Sequence, residues 1–418
     1  MADERRRILF CKWQPDLLGA LLDLGAEVHL VLDRLDVMHE NPSEELLGRC
    51  RQVYRVSGFD TLEELSAIAV DLRTRGQDID LVFSHNELSQ FGAGYLELLL
   101  GLATDPLVHV SHRDKRLMKQ RVRDAGVPTA RFRSLPDPTD RAAVAAVAAE
   151  MPMPVVVKPA AGYGAMSTLR ADTPEQLVEI VANFTYAPLL RSRQLIVEEF
   201  VDGQEMCVDA IWVDGKALTL VGHRYHVPRL AVDGDPAASS LDGSRVVLEE
   251  DQPEVFAQVR DLHERINDAL GIHDGATHME VFVQPDGEVL FSEIGTRVGG
   301  AWTPELLTAH LGHSIWRLVA QATMFGTIPP SARAHRYLAA VHLRPERPGV
   351  ITTYPTEAEL AEFPGVVDWH VFRQVGDKAR LSHPSEWYLF VVVGAETIEE
   401  IDELRVRIAD RFVIETVA

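Results

Sequence analysis

THMEVFVQPDGEVLFSEIGTRVGG, residues 277–300, decides how this chain is read. Its first half, THMEVFV, reads as a strand. Pro285, Asp286 and Gly287 turn the chain, and EVLFSEI returns as a second strand. A type I′ or similar Asp-Gly turn would hold the two antiparallel. The hairpin then carries Glu280 and Glu293 to one place. Packing gives no reason for that, because two like charges buried side by side are costly unless a cation sits between them. Hard divalent cations take oxygen ligands, and magnesium is usually held by one or two carboxylates plus substrate phosphates. The plain alternative is a solvated hairpin face. Glu280 and Glu293 are therefore the candidate metal ligands. Arg297, four residues beyond the second, can clamp a phosphate or carboxylate through two parallel hydrogen bonds.

Three earlier segments acquire meaning beside this hairpin. In VVVKPAAGYGAMST, Lys158 ends a run of valines and precedes a loop with Gly162, Gly164, Ser167 and Thr168. Glycines let backbone N–H groups approach an anion closely, and the lysine supplies a point charge for phosphate. The order is not that of a Walker A loop. Lys115 lies in HRDKRLMKQRVRDAG, a basic amphipathic helix closed by Gly126. In EEFVDGQE, a strand runs into a link before a second strand. Glu198, Glu199, Phe200 and Val201 can offer backbone groups, and one apolar side chain, to a purine. Glu205 can accept hydrogen bonds from ribose hydroxyls. Alone, each segment has a bland equivalent: a common glycine loop, a solvated lysine, an acidic hinge. In chain order they describe sites for purine, ribose, polyphosphate and metal.

The N-terminal hundred residues alternate strand and helix: RILFC (7–11), LLGALLDLG (17–25), AEVHLVLD (26–33), a helix over 62–75, and IDLVFS (79–84). That pattern implies a parallel, Rossmann-like sheet. The first βα turn, KWQPD, has no GxGxxG, so a dinucleotide site is not implied. Ligands of open α/β sheets collect at the carboxyl ends of strands, which makes Asn86 and Glu87 substrate-site candidates. Helices are also expected over 139–150, from Pro174 to about Val181, over 253–270 and through PELLTAHLGHSIWRLVAQATMF. The segment 228–245 is expected as a loop. The tail is expected to hold strands near 337–343 and 387–393 and a helix near 398–411.

The chain has 418 residues and a formal charge of −22, from 41 basic and 63 acidic residues. That length exceeds one ordinary core, and the charge argues against general nucleic-acid binding. No window is apolar enough over a membrane-spanning length, and the N-terminus lacks a signal-like apolar run, so a cytoplasmic protein is expected. Cys11, Cys50 and Cys207 are too few and too scattered for a disulfide framework. For the same reason His223, His226 and His278 are not expected to bind zinc, since no cysteine completes them.

On Lys115, Lys158 with its glycine loop, EEFVDGQE, THMEVFV and EIGTRVGG, the chain resembles the ATP-grasp superfamily. More narrowly it resembles carboxylate–amine ligases that include bacterial dipeptide-forming L-amino-acid ligases. The resemblance covers almost the whole chain and implies a mixed α/β and α+β fold: a Rossmann-like N-terminal domain at 1–110, an ATP-grasp domain at 111–330 with a lid at about 150–205, and a C-terminal subdomain at 331–418 that completes the large domain. It implies that Lys115 and Lys158 contact the nucleotide and Glu198 through Val201 form the adenine hinge. Glu205 would bind ribose, Glu280 and Glu293 would bind Mg²⁺ (with Mn²⁺ as the alternative), and Arg297 would stabilise transferred phosphate. One position departs: many relatives carry asparagine two residues after the second acid, where this chain has Gly295.

The expected reaction has two steps. A substrate carboxylate attacks the γ-phosphate of ATP to give an acyl phosphate and ADP, and an amine then attacks the activated carbonyl and releases phosphate. Positioning and charge neutralisation carry such chemistry. Arg297, Lys158 and His278 are the catalytic candidates; His278 shares a strand face with Glu280. Glu87, His223, Arg224, His226, Arg297, Gly299, Gly300 and Trp302 are the substrate-site candidates, and Trp316 is expected in the core. The partners are a small carboxylic or amino acid and an amine. The tail could add a substrate wall or a homodimer surface. Competing readings are acyl transfer to a carrier-protein thiol, carboxylation through carboxyphosphate, a nucleotide-binding regulatory module and a dehydrogenase.

Overall fold

A computed structural model describes residues 5–418 apart from 103, 104, 106, 163, 165, 166, 188, 189, 191, 232–241 and 382–385. The N-terminal part runs β1 (Arg7–Cys11), α1 (Pro15–Asp23), β2 (Glu27–Leu32), α2 (Glu44–Arg49), β3 (Gln52–Arg55), α3 (Leu62–Thr74), β4 (Leu81–Ser84) and α4 (Gln90–Leu100). Its sheet is parallel, in the order β3-β2-β1-β4. Ile8, Leu9 and Phe10 are all fully buried, as strands covered on both faces require. Where a dinucleotide fold would place its first glycines, the turn after β1 carries Lys12 at φ +79°. Its ammonium is 2.9 Å from Asp33 and 2.8 Å from Asp36, so a buried ion pair fills that cradle.

The sequence does not announce α2, β3 or α4. Gly92 and Gly94 weaken the helical signal of α4, yet both are needed. A Cβ at Gly92 would lie 2.6 Å from the carbonyl oxygen of Phe59, and one at Gly94 would lie 2.4 Å from Cβ of His109.

After α5 (Leu107–Ser111), the basic helix α6 (Lys115–Asp124) starts at Asp114, whose carboxylate caps it by accepting from the Arg116 N–H at 2.9 Å. Then follow β5 (Phe132–Leu135), α7 (Arg141–Glu150), β6 (Val155–Pro159), β7 (Leu169–Ala171), α8 (Pro174–Ala182) and β8 (Leu195–Glu199). The strands form an antiparallel sheet in the order β5-β8-β6-β7. Val155, Val157, Leu195 and Val197 pack with α7 and α8. Alternation therefore turns Lys158 and Glu198 to the uncovered face. This sheet begins at Phe132, before the residue-150 limit drawn from sequence for the lid.

The rest of the chain is β9 (Gln204–Val213), β10 (Lys216–Tyr225), β11 (Gly243–Val247), α9 (Pro253–Leu270), β12 (Gly275–Val283), β13 (Val289–Gly295), α10 (Thr303–Leu311), α11 (Ile315–Phe325), β14 (Tyr337–Leu343), β15 (Gly349–Thr353), α12 (Glu357–Glu362), β16 (Val366–Val371), β17 (Lys378–Ala379), β18 (Leu389–Ala395), α13 (Ile398–Arg411) and β19 (Glu415–Val417). Eight of its strands form one antiparallel sheet, β13-β12-β9-β10-β11-β14-β18-β16. Residues beyond 331 thus extend the large sheet, and β17-β15-β19 form a small one beside it. Part of the segment expected as a loop at 228–245 is strand β11. The helix expected to run unbroken to Phe325 is split at Gly312 (φ +72°), where a Cβ would lie 2.4 Å from the Ala332 carbonyl oxygen.

One face of the large sheet is sealed by α6 and α9 against Met206, Val208, Met279, Val281 and Phe291. Pleating sends Glu205, Cys207 and Asp209, His223 and Tyr225, and His278 and Glu280 to the other face. Among the described residues, no helix is long and apolar enough to cross a membrane.

Candidate active site

The 277–300 segment forms the expected hairpin, with Glu280 directly opposite Glu293. Its turn is not type I′. Only Gly287 has positive φ, +88°, and its N–H donates to the Gln284 carbonyl at 2.9 Å. Pro285 holds φ near −65°, so a type I turn closed by a left-handed glycine makes the connection.

The cations that let two carboxylates lie together come from other elements. Glu293 Oε2 is 3.3 Å from Lys158 Nζ and 3.4 Å from Lys115 Nζ. Lys158 is also 3.2 Å from Glu198 Oε2. A third lysine, Lys119, is fully buried; it donates to the Ser292 carbonyl at 2.6 Å and stands 3.5 Å from Glu198 Oε1. Burial opposes the charge of Glu293, but Lys115, Lys158 and Lys119 overcome it and hold the carboxyl well below the usual range. Burial likewise opposes the Lys158 ammonium, and Glu198 and Glu293 reverse that effect and raise it. Glu280, with 37 % of its side chain exposed, is the reachable member of the pair. Two facing carboxylates with only oxygen donors fit a hard divalent cation, and the lysines at their flank fit the phosphates that would complete its shell.

The nucleotide candidates surround this centre. The Gly162 carbonyl accepts from Lys115 Nζ at 2.8 Å and from Arg113 Nη1 at 2.9 Å, tying the glycine loop to the start of α6. Gly164 has φ +60°. The Ser167 hydroxyl accepts from the Ala187 N–H at 3.1 Å, so it braces the loop. In the hinge, the Glu199 N–H is given to Arg131 and the Phe200 N–H to Pro154, at 2.9 and 3.0 Å. Arg170 covers the Phe200 ring at 4.2 Å. Glu198 points to the lysines, Glu199 to the other face, and Val201 follows as the hinge leaves the sheet. Glu205 is half-buried; desolvation raises its pKa, and it accepts from the Arg229 N–H at 3.0 Å.

Arg297 reaches the N-terminal domain. Its Nε donates to Glu87 Oε1 at 2.9 Å, and its Nη1 donates to the Val298 carbonyl at 2.9 Å. The other Glu87 oxygen accepts from Arg113 at 2.9 Å. Burial would raise the Glu87 pKa, but Arg297 and Arg113 lower it. Gly295 lies beside this pair: a Cβ there would make ordinary contact, 3.5 Å from Arg297 Cγ and 3.9 Å from Glu87 Oε1, so sterics alone do not demand glycine.

Beside Glu280, Asp209 collects three donors. It accepts from His278 Nδ1 at 2.9 Å, from His223 Nε2 at 2.9 Å and from the Gly299 N–H at 3.3 Å. Burial resists the Asp209 charge; the two imidazoles outweigh it and hold the carboxyl far below its ordinary value. His278 Nε2 faces Glu280 at 3.8 Å. Gly299 must lack a side chain: a Cβ would meet Thr303 at 2.6 Å and His278 Nδ1 at 2.7 Å. Gly299→Ala should displace His278 and lower ATP-dependent turnover by about 100-fold, the scale of a 1 Å misplacement, while MgATP affinity by calorimetry stays at the wild-type value. Loss of nucleotide affinity in parallel would show instead a collapse of the whole site.

Three expected substrate residues lie elsewhere. Arg224 alternates to the opposite face of β10 from His223, and His226 lies just beyond the strand's end at Tyr225. Arg224 donates to Gln252 Oε1 at 2.5 Å, and His226 Nε2 meets the Ala340 carbonyl at 3.2 Å. Trp302 is buried in the core, its indole N–H donating to Ser244 Oγ at 2.6 Å. Gly300 stays near the site: a Cβ there would lie 3.9 Å from Arg297 Nη1. Trp316 packs, half-buried, against the core as expected. Arg113, Lys119, Cys207 and Asp209 were missed. Period two along QEMCVDA could have joined Cys207 and Asp209 to Glu205, and Lys119 stands one helical turn from Lys115.

Known proteins resemble this chain in sequence and in fold. Residues 151–305 match the family described as the ATP-grasp domain. An L-arginine-specific L-amino acid ligase of Bacillus subtilis is 23% identical over 332 residues, 78% of this chain and 77% of that protein. A D-alanine–D-alanine ligase of Kocuria rhizophila is 28% identical over 250 residues, 54% of this chain and 61% of that protein. The crystal structure of an L-amino acid ligase from Bacillus licheniformis superposes with a TM-score of 0.76 at 17% identity, covering 99% of this chain and 100% of that one.

Proposed function

Because the chain belongs to the ATP-grasp superfamily of ATP-dependent ligases, with the ATP-grasp domain over residues 151–305, we propose that it joins a small carboxylic or amino acid to an amine through an acyl phosphate. The observation that carries this reading is the Arg297–Glu87 pair beside Glu280 and Glu293. A guanidinium beside a carboxylate offers complementary partners to the two ends of an amino acid. Arg297 and the amides of Gly299 and Gly300 suit a carboxylate, and Glu87 suits an ammonium group.

In this reading Glu280 and Glu293 hold Mg²⁺, which would neutralise phosphate charge and align the γ-phosphate. Lys115 and Lys158 turn from Glu293 to the phosphate oxygens. Glu198 through Val201 face the purine and Glu205 the ribose. The substrate carboxylate, held at Arg297, attacks the γ-phosphorus and ADP leaves; Arg297 then offsets the charge on the transferred group. His278, oriented by Asp209, lines the place where the amine arrives. Exclusion of water by the glycine loop protects the acyl phosphate.

Incubation with MgATP and pooled amino acids, small carboxylic acids and amines, read by mass spectrometry, tests the proposal. ADP together with a product of mass acid plus amine minus water is the expected result. AMP in place of ADP would overturn the acyl-phosphate route. ADP release dependent on bicarbonate alone would point to carboxylation.

A further inference from the structure

Beneath the hairpin, the fold assembles a set of ligand atoms of which the proposed ligase reaction uses only the one on His278. Cys207 on β9, His223 on β10 and His278 on β12 each offer one ligand atom, and these three atoms lie within 4.8 Å of one another. All three side chains are buried. The strand register explains the grouping. Cys207 is the direct cross-strand neighbour of His223 on one side and of Glu280 on the other, and His278 pairs with Asp209 two residues along β9.

Two further observations point to a ligand. Asp209 binds one nitrogen of each ring, His223 Nε2 and His278 Nδ1. A carboxylate on the outer nitrogen is the usual arrangement behind a metal-bound imidazole, fixing its tautomer and raising its basicity. One buried carboxylate performs that role for both rings. Moreover, His223 Nδ1 has no hydrogen-bond partner although His223 is fully buried. Such an orphan inside a sheet is costly unless something fills it.

We infer that Cys207, His223 and His278 form a binding site for a borderline-soft divalent cation of the Zn²⁺ type, separate from the magnesium-binding carboxylates. A thiolate and two imidazoles suit zinc and not magnesium. A water supplies the fourth position. In a formed tetrahedral site ligand atoms are about 3.3–3.8 Å apart, so the three close by roughly 1 Å around the ion. Binding expels the Cys207 thiol proton and any proton carried by His278. The thiolate and the Asp209 carboxylate together balance the charge of the ion. An occupied site withdraws His278 from the substrate pocket.

Cobalt(II) chloride is the probe, added with excess Mg²⁺ to chelator-treated, reduced protein carrying Cys50→Ser, so that the half-exposed Cys50 contributes no signal. The expected result is a near-ultraviolet thiolate-to-cobalt charge-transfer band that saturates at one equivalent and is erased by one equivalent of zinc chloride. Cys207→Ser should remove the band and His223→Gln should weaken binding at least ten-fold; circular dichroism identifies which variant retains the fold and carries the comparison. A folded parent protein with no charge-transfer band, or a band that survives in folded Cys207→Ser, overturns the site. The readout needs no ligase turnover, so its failure leaves the proposed reaction untouched.

Discussion

Glu293→Gln is expected to reduce magnesium-dependent ADP formation by about 10³-fold or more. The substitution keeps the shape of the side chain and removes its charge. Glu293 combines two duties: it faces Glu280 across the hairpin, and it gathers Lys115 and Lys158. Removing one preorganised charge contact from a transferring group costs about 10²–10³ in rate, and loss of a metal ligand adds to that. The fold should survive, because Lys158 keeps Glu198 at 3.2 Å and Lys115 keeps the Gly162 carbonyl at 2.8 Å. The check is steady-state ADP release over a magnesium titration, together with the melting temperature. Wild-type turnover in a folded Glu293→Gln protein would sink the metal assignment, and with it the proposed use of the hairpin.

Arg297→Lys should be the next most damaging change, lowering kcat/KM for the acid by about 10²–10³-fold at unchanged affinity for ATP. The guanidinium spans two partners, Glu87 through Nε and Val298 through Nη1. A lysine ammonium is a single point charge with no fixed fork, so it can keep the pairing with Glu87 but not the second contact. Glu87 would still be held by Arg113 at 2.9 Å. Its partner therefore remains ordered, and the loss belongs to the missing fork. Because Glu87 and Arg297 act on one another, adding Glu87→Gln to Arg297→Lys should cost less than the sum of the single effects. Kinetics of the four proteins under saturating ATP decide this. Strict additivity would mean that the two residues serve different substrates.

The hairpin was legible because three local signals agree: alternation on both strands, a Pro-Asp-Gly turn, and carboxylates where packing has no use for them. The turn type was not, because Pro285 as well as Gly287 sets its geometry. The phosphate lysines were legible in part. Lys115 and Lys158 lie in patterned segments, whereas Lys119, one turn further along the same helix, looks like a solvated lysine until the fold buries it against Ser292 and Glu198. Arg224 and His226 show the opposite failure. Arg224 stands next to His223 and the strand's pleat sends it to the other face, while His226 follows just after the strand ends at Tyr225 and meets the Ala340 carbonyl. Trp302 looked like a pocket wall because it follows two glycines; instead it packs against Tyr225 and Phe390.

By itself the sequence determined the elements whose cause is local: the parallel N-terminal units, the basic helix, the glycine loop and the acidic hairpin, with the chemistry those side chains can perform. Tertiary structure alone decided which of them meet. Asp209 gains its meaning from His223, 14 residues away, and from His278, 69 residues away; Arg297 gains its partner Glu87 from 210 residues away. Cys207, dismissed in sequence as isolated, becomes the neighbour of two histidines because β9 lies between β10 and β12. Periodicity reports the face on which a side chain lies, but not which strand will lie beside it. That choice belongs to the packing of the whole sheet, where side chains far apart in sequence share one low-dielectric space and set one another's charge.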